Sequence, residues 1–103
     1  MNWMSDPRVV QAEADTLAAI KADKAGDPVS RRKLYMAAAE GFGAVAAEVP
    51  EAEEQVRFDL ARAAIACYSA ACNPVAMLGV IRDWVARGRA LGRFDRPRGE
   101  GQV

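Results

Sequence analysis

The side chains able to do chemistry in this sequence are few. No histidine occurs, which removes the commonest general base, the commonest zinc ligand and every Ser-His or Cys-His nucleophile pair. Hydroxyls are scarce as well, with three Ser and one Thr. The two cysteines, Cys67 and Cys72, stand at i,i+5. On one helix that spacing separates their alpha carbons by roughly 8–9 Å and points them about 140° apart, so they cannot form a disulfide. They read as two small buried thiols in a reducing cytoplasm. No third thiol or imidazole completes a tetrahedral metal site. Glu13 and Asp15, at i,i+2, point to different sides of a helix and make no acid–base pair. Gly41-Phe42-Gly43 lies inside a helical pattern rather than after a strand, so it is not a phosphate-binding loop. These residues point away from an enzyme and imply no cofactor.

What remains is charge. Arg31, Arg32 and Lys33 sit together in the first turns of a helix, where they oppose the macrodipole. They read either as a solvated face or as a small contact site for an anionic partner. Residues 1–72 carry 8 basic and 11 acidic groups, a net of −3, and residues 73–103 carry 6 basic and 3 acidic, a net of +3. The six basic groups of the second segment are all arginine, among them Arg87, Arg89 and Arg93. Guanidinium groups suit bidentate contact with carboxylate or phosphate. They read as a solubilising tail or as contacts for an acidic partner, with weak, salt-sensitive nucleic-acid binding as a further alternative.

The elements that position these groups are helices. Half of the 103 residues (51%) are apolar and 27% are charged. That balance suits one globular domain rather than a disordered chain. Zero net charge and a pI near 6.2 argue against a bulk nucleic-acid surface. No apolar run is long enough to span a bilayer, and Met1 to Pro7 lacks the basic-then-apolar pattern of a secretory leader, so the expectation is a cytoplasmic protein. Alanine is abundant, β-branched residues are isolated and no alternating pattern persists, which predicts an all-α chain.

Punctuation places four helices. Ser5 or Asp6 caps the first, with Pro7 in its first turn, and Gly26 ends it. Its inward stripe is expected to be Val10, Ala14, Leu17 and Ala18, widened by Val9 and Ile20. The second runs from about Pro28 to Glu48 with an apolar face including Leu34, Ala38, Phe42, Val45 and Val49. Gly41 and Gly43 inside it predict close approach of a neighbouring helix. Val49-Pro50 breaks it, and Glu51, Glu53 and Glu54 open the third, where carboxylates favour the dipole. The third, reaching about Cys72, has two apolar stripes. One is Val56, Leu60, Ala63, Ala64, Cys67 and Ala71; the other is Phe58, Ala61, Ile65, Tyr68 and Cys72. Such a helix is either the centre of the bundle or offers one side to a partner. Asn73-Pro74 starts the fourth, from about Val75 to Ala90. The predicted architecture is an up-and-down antiparallel four-helix bundle over residues 1–91, followed by a flexible Arg/Gly-rich tail over 92–103.

The stretch from Ala19 to Cys72 resembles the microtubule-interacting and trafficking (MIT) domain, a three-helix bundle related to tetratricopeptide hairpins. The residues that carry the resemblance are Ala22-Asp23-Lys24-Ala25-Gly26, then Leu34-Tyr35, Ala38, Glu40 and Phe42, then Arg62, Tyr68 and Ala70-Ala71. Ala38, Phe42, Val45 and Pro50 also have the spacing of the second helix of a tetratricopeptide unit. Pro28 departs from the pattern, at a turn position where the family often has an aromatic. The resemblance implies a non-catalytic module that takes a partner's helix in a groove between its own helices. Carried onto this chain, that groove lies between the second and third helices, with Phe42, Val45 and Val49 facing Leu60, Ala64, Cys67 and Ala71.

Three functions follow as expectations. The first is an interaction module or small adaptor that binds a helical segment of another protein, an acidic one where the arginines make contact. The second is a self-associating protein, a homodimer burying Trp84, Met77 and the second face of the third helix across a two-fold axis. The third is a nucleic-acid binder using the fourth helix and the arginine tail. Val80, Ile81, Trp84 and Val85 leave that helix few polar side chains to read bases.

Overall fold

The computed structural model describes residues 2–90, with the side chains of 88–90 left aside. A 3-10 turn over Trp3–Ser5 precedes α1 (Pro7–Lys24) and α2 (Pro28–Glu48). A second 3-10 turn over Glu51–Glu53 leads into α3 (Glu54–Ala70), and α4 follows (Pro74–Ala90). Over the described residues the protein is an all-α four-helix bundle, as the composition and punctuation predict. The tail proposed for 92–103 lies outside the described residues.

Local chemistry sets the helix boundaries. Asp6, Asp27 and Asn73 each accept a backbone N–H of the turn that follows, from Arg8 (2.9 Å), Ser30 (3.1 Å) and Ala76 (3.1 Å). Proline occupies the next position in all three, where its missing N–H leaves nothing unsatisfied. The two hairpins close with the same device. At the end of α1, Gly26 N–H donates to Asp23 and Asp27 N–H to Ala22; at the end of α3, Cys72 N–H donates to Ser69 and Asn73 N–H to Tyr68. Both are Schellman closures and both need a left-handed residue. Gly26 supplies φ 73° without strain, whereas Cys72 adopts φ 56° with a side chain attached. The third helix differs from the expected one at its start. Glu51 to Glu53 form the 3-10 turn, and Glu53 accepts a hydrogen bond from the Trp3 indole at 2.8 Å, which ties the N-terminal turn to the foot of α3.

The helices pack in chain order: α1 on α2, α2 on α3, α3 on α4. Small side chains bring α1 and α2 together. A methyl group placed on Gly41 would lie 3.0 Å from the Arg8 carbonyl oxygen and 3.1 Å from the Ala12 Cβ. The close approach expected at both glycines is found at Gly41 alone, because the nearest neighbour of a methyl on Gly43 is the Ala64 Cβ at an ordinary 3.8 Å. The buried face of α1 is Val9, Ala12 and Ala19, which leaves Val10, Ala14 and Leu17 facing outward. The stripe expected to face inward is therefore largely the outer one. An alanine-lined contact with α2 is closer, and the larger side chains would hold the two backbones apart. On α3 both stripes are engaged, one by α2 and the other by α4, where the rings of Phe58 and Trp84 lie 5.7 Å apart and tilted by 58°.

Arg8 joins α1 to the end of α2, bonding both Asp6 and Glu48. Its guanidinium holds Asp6 and Glu48 below the ordinary carboxylate range, and hydrogen bonds from Ser30 do the same for Asp27. A carboxylate whose pKa is lower folded than unfolded stabilises the fold above its unfolded pKa, and that contribution is lost as pH falls through the folded value. Stability is therefore expected to be fully present at neutral pH and to decline as the solution is acidified through the carboxylate range. Denaturant midpoints measured against pH check this, and Asp27→Asn flattens part of the slope.

Candidate interaction surface

The residues expected to line a groove between α2 and α3 form a packed seam. Phe42, Val45, Val49, Leu60, Ala64, Cys67 and Ala71 are all between 0% and 6% exposed. Val9 and Ala12 of α1 belong to the same core, so α1 closes the seam from one side. Phe42 and Cys67 also line an open groove between α1 and α3.

The charged residues divide in the same way. Arg31 pairs with Asp23 at 3.2 Å and lies over the Tyr35 ring, 5.6 Å from its centroid. The Nε of Arg32 donates to the Ala71 carbonyl at 3.1 Å, capping the end of α3. Arg87 on α4 does the same for α2, donating to the carbonyls of Ala46 (3.1 Å) and Val49 (3.0 Å). The carbonyls at a helix C-terminus lack intrahelical partners and carry partial negative charge, which a guanidinium satisfies. These arginines hold the bundle together, and only Lys33 of the first triplet is left as an exposed side chain with no such role shown. The side chain of Arg89 and all of Arg93 lie outside the described residues. Replacing Arg87 with Ala is expected to lower stability by about 2 kcal/mol, the usual range for hydrogen bonds to a charged donor. Chemical denaturation measures that loss.

The thiols also separate. Cys67 is buried and Cys72 is exposed, so the expectation of two buried thiols holds for one. Cys72 is turned out by its left-handed backbone just beyond α3. Burial pushes the Cys67 thiol up, opposed in part by the Thr16 hydroxyl, whose Oγ1 lies 3.8 Å from its sulfur. A water-soluble thiol reagent is expected to modify Cys72 rapidly in the native protein and Cys67 only after unfolding. Counting labelled thiols by mass spectrometry, with and without denaturant, checks this.

One residue that the sequence reading passed over is Arg57, 1% exposed on α3. Its signal is its register, because it precedes Leu60, Ala64 and Cys67 at i+3, i+7 and i+10 on the buried stripe. With Tyr68 it lies along a cleft of about 460 Å³ between α2 and α4, lined also by Gly43, Ala47, Gly79 and Trp84. Tyr68 is pushed above its ordinary pKa by burial and by Glu40. Among the described residues, no group of three or more His, Cys, Asp or Glu is placed to hold a metal ion, and no helix is long and apolar enough to cross a membrane.

A largely apolar open groove of about 390 Å³ lies between α1 and α3. Leu17 and Thr16 form one wall with Glu13 at the rim, and Ala63 and Ala66 form the other. Phe42 and Cys67 make the floor. Leu17 is 64% exposed and Val10, two turns earlier on the same face, is 54% exposed. Packing α1 on α2 through Val9, Ala12 and Ala19 turns these larger side chains to the outside. The lining of the groove is mostly apolar, with Thr16 and Glu13 as its polar side chains beside the Cys67 thiol.

No protein-family model matches this chain, and no curated protein or solved structure matches it.

Proposed function

We propose that this protein is a non-catalytic protein-binding module and that its contact surface is the face shared by α1 and α3. The observation that carries this reading is the exposure of Leu17 and Val10 beside an apolar groove floored by Phe42. Alanine on the α3 wall lets a helix approach closely, and leucine on the α1 wall supplies a side chain for a partner to cover. This differs from the groove between α2 and α3 that the MIT-like resemblance implies. The engagement of Arg31, Arg32 and Arg87 in contacts within the chain favours apolar recognition over a broad anionic contact.

The test is affinity capture from a lysate of the source cell with the full chain and with Leu17→Asp. Leu17 projects from the surface, so the variant should keep the native circular dichroism spectrum. Proteins retained by the native chain and lost with Leu17→Asp support the reading. Identical capture by both chains overturns it.

A further inference from the structure

We propose that the segment seated on this face is α1 of a second copy of the chain, lying antiparallel across a two-fold axis at Leu17. The proposal rests on the reading of the α1/α3 face as a binding surface and names its occupant.

The argument is charge complementarity about one residue. At 100° per residue, Val10, Glu13, Ala14, Leu17, Ile20, Lys21 and Lys24 fall within an arc of roughly 120° centred on Leu17. The buried Ala12 and Ala19 lie on the far side of the helix, and buried Val9 borders the arc beside Ile20. Its apolar members are uncovered, Ile20 at 39% in addition to Val10 and Leu17. Its charges are segregated, with Glu13 on the N-terminal side of Leu17 and Lys21 and Lys24 on the C-terminal side.

An isologous contact places each residue against its mirror position in the partner. With the axis at Leu17, Leu17 meets Leu17 and Ala14 meets Ile20. Glu13 meets Lys21 twice, once on each side of the axis. The stem of Lys24 lies over Val10, covering it while the ammonium stays in water.

The α3 wall follows the same pattern. Trp3 bonds Glu53 and Thr16 contacts Cys67, so α1 and α3 run side by side with an offset of about fifty residues. Asp59 is therefore level with the start of the α1 face, opposite the partner's Lys24. Gln55 holds its carboxylate by a hydrogen bond at 3.0 Å. The small side chains of Ala63 and Ala66 leave room for the second α1 in the groove. A parallel arrangement would instead set Glu13 beside Glu13 and Lys21 beside Lys21.

Sedimentation equilibrium of the purified full chain across the micromolar range tests this directly. The expected mass is twice the 11.1 kDa of one chain. Leu17→Asp, Glu13→Lys and Lys21→Glu are each expected to return the mass to that of one chain with the helical spectrum unchanged. An equimolar mixture of Glu13→Lys and Lys21→Glu is expected to recover the dimer, because every reversed pair then regains its opposite charge. Rescue in the mixture is a result that a merely destabilised fold cannot give.

A native chain that stays monomeric overturns the proposal, as does a dimer indifferent to all three substitutions. Monomeric native protein together with Leu17-dependent capture from the lysate would refute the second copy as occupant and leave the binding face standing. Indifference of both mass and capture to Leu17→Asp would remove the face as well.

Discussion

Phe42→Ala is expected to remove about 4 kcal/mol of stability, within the range for truncating a buried aromatic. Phe42 sits on α2 at the junction of the first three helices, with only 6% of its surface exposed. Val45 one turn on, and Ala64 and Cys67 on α3, belong to the same cluster. All are too small to refill the space the ring vacates. A domain of this size has about 5–15 kcal/mol in total, so the variant should unfold at markedly lower denaturant concentration. The measurement also separates two roles for this residue. Were Phe42 mainly a contact for a partner, its truncation would leave the isolated chain nearly as stable as before.

Gly41→Leu is expected to destabilise the fold by about 3 kcal/mol, at the upper end of ordinary overpacking effects. The atoms a side chain would meet are the Arg8 carbonyl oxygen at 3.0 Å and the Ala12 Cβ at 3.1 Å. Neither is the free end of a flexible side chain, so α1 must move bodily. That movement would disturb the Arg8 bonds to Asp6 and Glu48 as well. Gly43 provides the control two residues away. Its added methyl meets only an ordinary contact with Ala64, and the better helix propensity of alanine is worth about 1 kcal/mol, so Gly43→Ala should stabilise. Opposite signs for neighbouring glycines in one helix, measured by thermal or urea denaturation, locate the close contact.

The architecture was legible where the chemistry is local. Asp6-Pro7, Asp27-Pro28 and Asn73-Pro74 each combine a side-chain cap with a residue that begins a helix, and α1, α2 and α4 start at those prolines. Which side of α1 faces inward was not legible. Val10, Ala14 and Leu17 have the periodicity of a core stripe, but α1 buries Val9, Ala12 and Ala19 because the bare backbone at Gly41 rewards close approach. That depends on the shape of a different helix. The roles of Arg32 and Arg87 were hidden for the same reason, since each caps a helix about forty residues away in the chain. Cys72 was misplaced because the left-handed position after a helix is usually glycine, and a cysteine there gives no sign of the turn. Of the candidate site, Phe42 and Cys67 were reached from the sequence, whereas Leu17 was assigned to the interior.

The serial packing of the helices bears on how substitutions combine. α1 and α4 share no packed interface: α1 packs mainly on α2 and α4 mainly on α3. Away from Arg8 and Arg87, which both bond the end of α2, changes on the outer sides of these two helices have no packed interface through which to interact, and their effects on stability should sum. Changes along α2 and α3 meet across one seam and should deviate from that sum. Outside the end of α2, where Arg8 and Arg87 both attach, the terminal helices thus form two separable regions in which variation in one leaves the tolerance of the other unaltered, while the effects of changes in the inner pair depend on one another.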